Sequence, residues 1–522
     1  MDAAPPPPPS SYPAGSLREL LWVAIPLAIS TGSVSVAQVA DRAFLARFDP
    51  AALAASLPAG LLQWAVLSPF LGLGMTVSTF VAQNAAAGQP GRAAAAVWQG
   101  VWCSIAAALC FAALAPAAGP IFTLADHGPE VQRAEVIYFQ MLCWGAFPTV
   151  ASFALSGYYA GRGRTGVVMA ANVVAAAVNI LLDRILIFGV TLPGGLGEVP
   201  PFGIAGAGAA TGLSFTATCA FYLFAMTRGA GRASRIYSHA RFDRAMTARL
   251  LKVGVPTGLH MAADIVAFTV FLFLIGRLGR NELAASTLAF NLNGLCFLPA
   301  VGLGSAATVL VGHRVGEGRA DLATRTGWLA TAVGAVGMLV SGFVFVVYPE
   351  PLIQLYVGDG ASFTSGELAA LWATTPTLLI FVAVYSLFDV PAMVLGSAIR
   401  GAGDTTFPAV WTMLCAWGLL VAPAAWGILA GGWAGQSGVY HAWLCCTAYI
   451  VVVALGMIAR FVGGKWRTMS VLEEKVVAEA IYEPDAQASA VGVADGDACE
   501  LNDARPTLAR RASIESPPPV GP

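Results

Sequence analysis

Charged side chains are scarce in this chain of 522 residues, where Asp, Glu, Lys and Arg together make up 11%. An average soluble domain contains about 25% of them. A soluble protein of this length cannot cover its surface with so few charges, which excludes a soluble multidomain enzyme. The formal net charge of -1 also excludes a general basic surface, so we expect no nucleic-acid partner.

Paired cysteines and a cleavable leader are missing as well. Most of the nine cysteines lie singly in apolar stretches, which is typical of small buried apolar residues and not of a disulfide framework. The first 17 residues contain a run of five prolines and no basic region. They therefore resemble neither a signal peptide nor a transit peptide, and we expect them to be disordered.

Long apolar stretches dominate the remainder of the sequence. Apolar residues make up 57% of the chain, the mean hydropathy is +0.71, and twelve stretches reach the roughly 20 residues needed to cross a bilayer. These predicted spans are 20–46, 53–83, 94–115, 136–160, 166–189, 203–227, 250–276, 283–310, 324–347, 371–397, 407–429 and 438–462. The sequence thus predicts an all-α polytopic membrane protein. The second and eighth spans are long and contain Gly and Pro, so we expect them to tilt or bend.

The Lys and Arg residues between the spans predict the orientation. Of those that flank the spans, 18 fall on the side of the N-terminus and 4 on the opposite side. Because positive charges are retained in the cytoplasm, both termini are predicted to be cytoplasmic, in a multi-pass protein of the cell membrane in contact with membrane lipids.

The sequence repeats itself at an offset of 230 residues. In this register Leu20–Pro26 lies over Leu250–Pro256, and Gly72–Gly74 lies over Gly302–Gly304. With ten further residues inserted, the segment 161–165 lies over 401–405. Each unit contains six spans, so we expect two six-helix bundles related by a pseudo-two-fold axis along the membrane normal, an architecture typical of transporters and not of a pore.

The repeat and the composition divide the chain into five parts. The C-terminal tail is expected to be disordered, since it has ten acidic and four basic residues from position 473 onward. The parts are a disordered Pro-rich segment (1–17), an N-lobe (18–227), an Arg-rich cytoplasmic linker (228–249), a C-lobe (250–462) and a disordered tail (463–522).

Four carboxylates lie well inside the predicted spans. They are Asp41, Asp183, Asp264 and Asp389, out of 29 acidic residues in the chain. A charge at the bilayer centre costs at least about 2.5 to 3.5 kcal/mol on insertion scales, so these residues are the default functional candidates. None of them has an acidic counterpart in the other half of the repeat, which favours dedicated sites.

In the N-lobe, Asn179 and Asp183 are four residues apart and share a helix face. Their oxygen atoms suit a hard cation such as sodium, and a carboxylate in a less polar site can also carry a proton. An interhelical hydrogen-bond network is the structural alternative. Arg42 and Arg184 follow the two acids, and crossed pairs with those acids would keep them ionised; snorkelling of the arginines to the interface is the other alternative.

In the C-lobe, His260 lies four residues before Asp264, on the same face. This spacing permits a His–carboxylate pair that titrates near neutral pH, or a hydrogen-bonded structural histidine. Pro26 lies inside the first span and permits a helix bend. Its repeat counterpart Pro256 leaves open a kink that is purely structural.

Several strings resemble the multidrug and toxic compound extrusion (MATE) family over about residues 17 to 462. They are Gln38-Val-Ala-Asp41, Leu53-Ala-Ala-Ser56, Asn179-Ile-Leu-Leu-Asp183, Gly203-Ile-Ala-Gly-Ala-Gly-Ala-Ala-Thr211, Gly302-Leu-Gly-Ser-Ala-Ala307 and Arg400-Gly-Ala-Gly-Asp404. The resemblance implies export of organic cations and other amphipathic compounds by alternating access, driven by sodium or protons. It assigns cation coupling in the N-lobe to Asp41, Asn179, Asp183 and Thr211, with sodium as a candidate ligand there.

The resemblance extends to the C-lobe and to the first span. Asp264 and Asp389 have spacings that resemble those of the cation-site acids in the bacterial sodium-coupled branch of the family. Pro26 resembles the proline around which the N-lobe of the family is thought to bend.

The leading functional hypothesis is therefore an antiporter for small molecules, with no cofactor beyond the coupling ion, that functions as a monomer. One alternative is a flippase for a lipid-linked or sugar-phosphate substrate. However, flippases favour cavity arginines, and here the intramembrane acids outnumber the bases by four to two. The other alternative is a membrane-embedded enzyme, but the spans contain no HExxH or GxSxG signature.

Overall fold

The computed structural model describes residues 12–124, 127–191, 198–228, 236–357 and 365–472. Within these ranges the chain is almost entirely helical. A single short hairpin of β1 (Val190–Thr191) and β2 (Glu198–Val199) interrupts the helices, with Val190 paired to Val199. The all-α prediction is confirmed.

The helices follow the two halves of the repeat. In the N-terminal half they are α1 (Leu17–Phe48), α2 (Pro50–Ala86), α3 (Pro90–Leu114), α4 (Ala118–Thr123), α5 (Pro129–Trp144), α6 (Ala146–Ala160), α7 (Thr165–Phe188) and α8 (Ile204–Met226). In the C-terminal half they are α9 (Arg244–Leu278), α10 (Arg280–Gly316), α11 (Ala320–Val347), α12 (Pro349–Val357), α13 (Ser365–Ala402), α14 (Thr406–Cys415), α15 (Ala422–Leu429) and α16 (Gly435–Val462). Short 3-10 turns lie at Ala115–Ala117, Ile236–His239 and Lys465–Thr468, and a π-helical turn at Ala416–Val421 joins α14 to α15.

Twelve membrane spans emerge from these helices, as the sequence predicts. Eleven helical stretches of the described chain are long and apolar enough to cross a membrane, and α5 and α6 form the twelfth with a bend of 44° between them. The predicted fourth span is thus a broken one. The predicted second and eighth spans are the helices α2 and α10, which each continue for 37 residues through internal prolines.

Helix α9 begins earlier than the predicted seventh span, because Asp243 caps it. The Asp243 carboxylate accepts hydrogen bonds from the backbone N–H groups of Ala245 and Met246 at 2.9 and 3.1 Å. An acidic residue at this position satisfies backbone donors that the helix itself leaves free. Six residues assigned to the linker from sequence, 244–249, are therefore the first turns of α9.

The described part of the linker before α9 packs against α3. The indoles of Trp98 and Trp102 donate to the carbonyls of Ile236 and Ala240 at 2.9 and 3.0 Å. The connection between the halves is thereby held on the N-terminal half.

The two ends of the helical chain lie on the same side of the membrane. Twelve crossings separate the start of α1 from the end of α16, so both of these ends lie on one face of the bundle, which we call the terminal face. The opposite face is called the distal face.

Three apolar clusters form the core, and they divide between the faces. One cluster contains residues of both halves from the helix segments near the terminal face, such as Leu20 and Phe80 together with Leu310 and Phe461. A second cluster belongs to the C-terminal half alone and a third to the N-terminal half alone. The halves are thus joined towards the terminal face, while each keeps its own core towards the distal face.

Small residues bring the two halves into backbone contact at two equivalent seams. At one seam α2 packs on α9, where a Cβ atom on Gly72 or Gly258 would overlap the backbone of the facing helix. At the other seam α1 packs on α10, where a Cβ atom on Gly302 would meet Ala28. The repeat offset relates Gly72 to Gly302 and Ala28 to Gly258, so one contact is made twice. Small residues allow such close helix packing in membranes.

Reciprocal hydrogen bonds join the halves nearer the terminal face. The Gln83 amide donates to the carbonyl of Gly401 at 3.0 Å, and His313 Nε2 donates to the carbonyl of Gly161 at 2.6 Å. The repeat register places Gln83 over His313 and Gly161 over Gly401. Each half therefore gives the same kind of bond to the other.

A buried ion pair adds to this contact. Arg314 of α10 pairs with Glu19 of α1, and also with Glu317 at 2.8 Å. Only 3% of the Arg314 side chain and 1% of the Glu19 side chain are exposed. We call the contacts of Glu19, Gln83, His313 and Arg314 the terminal seam.

The first residues of the predicted disordered tail are ordered, which corrects that prediction for residues 463–472. Trp466 is fully buried, and Val471 is buried as well. Their neighbours Lys465 and Arg467 are exposed, and this mixed pattern made the segment look solvated from sequence alone. Residues 12–17 of the predicted disordered N-terminal segment are ordered too, since Ser16 caps α1 and the Gly15 N–H donates to the Glu19 carboxylate at 2.6 Å. The expected disorder of residues 1–11 and 473–522 concerns parts of the chain outside the described ranges.

Candidate functional site

A cavity of about 140 Å³ lies inside the N-terminal half, among α1, α2, α5, α6, α7 and α8. Its wall is mostly apolar, with a few polar side chains that face inward. The polar groups are Gln38, Asp41, Gln63, Tyr138, Thr149, Asn172, Asn179, Thr211 and Ser214. Three of the four predicted coupling residues, Asp41, Asn179 and Thr211, therefore line one cavity.

Asp41 is the charged group in this wall. It lies on the cavity side of α1, is 9% exposed and is hydrogen-bonded by the side chain of Tyr138 of α5. Its Oδ1 atom is buried without a hydrogen-bond partner in the described chain. One carboxylate oxygen is thus left available to a ligand.

Asp183 lies next to this cavity but does not line it. The side chain is completely buried on α7, and neither carboxylate oxygen has a hydrogen-bond partner among the described residues. It is close enough to Asp41 and Tyr138 to interact with both electrostatically. One acid thus lines the cavity, and the other lies within its electrostatic range.

The neighbouring arginines do not neutralise these acids. Arg184 is exposed and stacks on the ring of Phe188, with 5.0 Å between the guanidinium carbon and the ring centroid. Arg42 is exposed and interacts with the adjacent Asp41 only through the electrostatic field. No crossed pair between these arginines and the acids occurs in the described chain. The exposed position of Arg184 fits the alternative of an arginine that reaches towards the membrane interface.

Helices α1 and α7 bring the polar residues together. They pack along their length, and Asn172 of α7 donates to the Ser30 hydroxyl of α1 at 2.5 Å. Two turns further along α7, Asn179 reaches the cavity and is 6% exposed. Thr211 lines the cavity from α8, and its hydroxyl donates to the carbonyl of Ala207 at 3.2 Å, so the hydroxyl oxygen can still accept a bond or bind a cation.

The donor set is made of oxygen atoms from a carboxylate, an amide and a hydroxyl group. Hard cations such as sodium take oxygen ligands, and a buried carboxylate also takes a proton readily. The residues therefore fit either coupling ion.

Three other buried carboxylates of the described chain have a basic partner. Glu19 pairs with Arg314, Glu135 pairs with His127 at 2.7 Å, and Asp404 pairs with Arg460 at 2.8 Å. These pairs lie near helix ends, where they hold segments in place. Asp41 and Asp183 differ from them because neither forms an ion pair with a base within the described chain.

The predicted C-lobe residues form a second, separate group. His260 Nε2 lies 3.2 Å from Asp264 Oδ2, although the two atoms are not aligned as a hydrogen bond. The Asp264 side chain is 37% exposed, and Arg400 of α13 is close enough to interact with it electrostatically. Tyr449 of α16 lies within electrostatic range of both Asp264 and Asp389, so the structure brings the two acids near one aromatic residue.

Six aromatic residues of the predicted spans lie outside the lining of the N-terminal cavity. Tyr158, Tyr159 and Tyr385 are buried in the cores. Phe268 is 40% exposed and packs edge-on against Phe290, with ring centroids 5.0 Å apart. Phe297 packs against the shared core. Pro26 lies within the uninterrupted helix α1, and its role as a hinge stays a prediction.

Sequence reasoning missed Tyr138, Asn172 and Gln63. Tyr138 is one of twelve tyrosines and nothing in its neighbourhood marks it. Asn172 lies seven residues, two helical turns, before Asn179 on α7, and this spacing is a signal that could have found it.

Comparisons with known proteins agree with this architecture. A family model described as MatE matches residues 26–185 and 256–426. A probable multidrug resistance protein NorM from Pseudomonas aeruginosa is 29% identical over 477 residues, which cover 89% of this chain and 92% of that protein. The multidrug resistance protein PmpM of the same species is 28% identical over 411 residues, which cover 77% and 82% of the two chains.

Solved structures share the fold. A crystal structure of MATE in the bent conformation has a TM-score of 0.73 and 20% sequence identity, and covers 90% of this chain and 97% of that one. An outward-facing conformation of a multidrug resistance MATE family transporter has a TM-score of 0.71 and 19% identity, with coverage of 86% and 95%.

Proposed function

Because the chain belongs to the MatE family of multidrug and toxic compound extrusion transporters, we propose that it exports organic cations and amphipathic small molecules in exchange for sodium ions or protons. It is a multi-pass membrane transporter and not an enzyme. The proposal concerns the coupling ion, the substrate class and the antiport mechanism.

One observation carries the proposal: a pair of buried carboxylates in the N-terminal half has no basic partner in the described chain. Asp41 and Asp183 interact electrostatically, and one of them opens onto a cavity with further oxygen donors. Two neighbouring negative charges in a membrane interior are costly unless a cation accompanies them. A proton or a sodium ion supplies that compensation.

The cation then acts on the shape of the N-terminal half. When it binds, repulsion within the acid pair is relieved, and the oxygen atoms of Asp41, Asn179 and Thr211 draw towards one point. These groups lie on α1, α7 and α8, so their approach changes how the three helices pack. The substrate is released or admitted as the cavity changes shape, which couples the two movements.

Alternating access follows from the arrangement of the two halves. The halves meet through the terminal seam and through the shared core, and each has a separate core near the distal face. This arrangement supports a state that is closed at the terminal face. Rocking about the glycine contacts of α2 with α9 and of α1 with α10 would exchange it for the opposite state.

The positive charges support an orientation for this cycle. In the sequence, 18 of the Lys and Arg residues that flank the predicted spans fall on the side of the N-terminus and 4 on the opposite side. We therefore assign the terminal face to the cytoplasm of the cell membrane, so that the described state is closed on the cytoplasmic side. One chain contains both halves and acts as the transport unit.

Efflux from reconstituted vesicles tests the proposal. Purified protein in liposomes is loaded with a fluorescent organic cation, and sodium and proton gradients are imposed separately. Wild-type protein should expel the dye under one of them, whereas Asp41→Asn and Asp183→Asn should abolish gradient-driven efflux and still fold.

Glu130→Gln is the matched control, since Glu130 is an exposed carboxylate outside the cavity. It should leave efflux unchanged. Wild-type rates in both Asp variants would remove the N-terminal half from the coupling mechanism.

A further inference from the structure

Residues 463–471, which we call the strap, leave the end of α16 and cross the terminal face. Gly464, with a positive φ of 69°, turns the chain into the 3-10 turn Lys465–Thr468. The strap then reaches the corner between α13 and α14, where Val471 packs against Gly403.

Two apolar residues anchor the strap to the C-terminal half. The Trp466 ring stacks on Phe461 with centroids 4.8 Å apart, and its indole N–H donates to the Phe461 carbonyl at 2.8 Å. Trp466 is fully buried and Val471 is 6% exposed. Burial of a Trp and a Val side chain stabilises a defined position for the strap.

The far end of the strap contacts Gln83 of the N-terminal half. The backbone N–H of Val471 and the hydroxyl of Ser470 both donate to Gln83 Oε1, at 2.9 and 3.1 Å. The Gln83 nitrogen donates to the Gly401 carbonyl at 3.0 Å. Gln83 is fully buried, so a single carboxamide joins the N-terminal half, the C-terminal half and the strap.

The repeat shows that the hydrogen bond between the halves forms without a strap. His313 stands at the position equivalent to Gln83 and makes the equivalent bond to Gly161. The chain that follows α8, equivalent to the strap, packs on α3 through Trp98 and Trp102 instead. One of the two equivalent joints therefore carries an additional, dedicated segment.

We propose that the strap is an intramolecular latch that binds the Gln83 joint and holds the terminal face closed. Separation of the halves at this face withdraws Gln83 from Gly401, and the strap must then give up both of its bonds to Gln83. The latch therefore stabilises the closed state relative to the open one, and its release is a point at which the activity of the transporter is regulated.

Hydrogen exchange of the purified full-length protein tests the latch. The double variant Ser470→Ala/Val471→Pro removes both strap donors. Peptides that cover residues 78–86 and 309–317 should then exchange faster by on the order of tenfold, which corresponds to the loss of two hydrogen bonds. Thr468→Ala is the matched control, because its exposed hydroxyl bonds only to the strap carbonyl of Lys465, at 3.0 Å, in the described contacts.

A second variant addresses the same joint from the other side. Gln83→His removes the carboxamide oxygen that accepts the strap but keeps a ring N–H for Gly401, as His313 provides at the equivalent joint. Gln83→His should speed up hydrogen exchange in the same peptides. Combining it with the strap variant should add little, since the two variants break the same contact. Unchanged exchange in both variants, with the strap peptide itself exposed, would overturn the latch.

The latch extends the proposed function, but its test does not depend on it. Exchange reports the opening of the terminal face whether or not the protein moves a dye. Absence of efflux with a strap-dependent opening would refute only the transport proposal, and normal efflux with strap-independent opening would refute only the latch.

Discussion

The buried pair of Glu19 and Arg314 should control how firmly the terminal face is closed. Arg314→Met removes the guanidinium and leaves the Glu19 carboxylate buried, with the Gly15 N–H at 2.6 Å as its remaining donor in the described contacts. When the halves separate at this face, water reaches Glu19 and the penalty disappears. The substitution therefore destabilises the closed state selectively.

The size of the effect follows from the burial of both side chains. Breaking a buried pair by removing one partner costs about 3 to 5 kcal/mol. Since about 1.4 kcal/mol corresponds to a factor of ten, the closed-to-open ratio should fall by on the order of a hundredfold to a few thousandfold. The double variant Glu19→Leu/Arg314→Met should recover most of this loss, because a packed apolar pair replaces the ions.

Hydrogen exchange and thermal unfolding measure this prediction together. In Arg314→Met, peptides from the start of α1 and the end of α10 should exchange faster, while peptides from the distal core of each half keep their wild-type rates. Glu317→Gln is the control, because Glu317 is the partly exposed partner of Arg314. Equal exchange in Arg314→Met and wild type, or a double variant no better than the single one, would refute the reasoning.

Three further predictions concern the C-terminal half and the seam. Asp264→Asn and Asp389→Asn should change the ion dependence or the substrate range of vesicle efflux, and wild-type kinetics in both would confine coupling to the N-terminal half. Gly258→Val should destabilise the seam of α2 and α9 by about 1 to 3 kcal/mol through overpacking; a melting temperature equal to that of wild type would contradict the close contact. Trp443→Ala should cost about 3 to 5 kcal/mol in unfolding free energy, since the buried ring stacks on Phe290 at 4.6 Å and bonds to Ser286; chemical denaturation measures it, and a loss below about 1 kcal/mol would contradict it.

The spans could be predicted from the sequence, because the length of an apolar stretch is enough to identify a membrane helix. It also brought Asp41, Asn179 and Thr211 into one site through the family resemblance, and the structure places all three in one cavity wall. Tyr138 could not be found in this way. A phenol in a span becomes a site residue only through its neighbour on another helix.

The terminal seam shows what a charge count conceals. Arg314 counts as one of the positive charges that orient the spans, yet it is a buried partner of Glu19. Gln83 and His313 differ in chemistry, so sequence similarity within the repeat does not reveal that each donates a hydrogen bond to a carbonyl of the other half. Their equivalence was present in the register of 230 residues and became visible only through their hydrogen bonds.

The division of the core into three clusters also determines how early in synthesis each cluster can be completed. The cluster of the N-terminal half uses residues up to Ala207, so it can be completed while the second half is still being synthesised. The cluster shared by both halves needs Leu20 from the start of α1 and Phe461 from the end of α16. It therefore cannot be completed before α16 has been synthesised, and the packing of the terminal face depends on both ends of the helical chain.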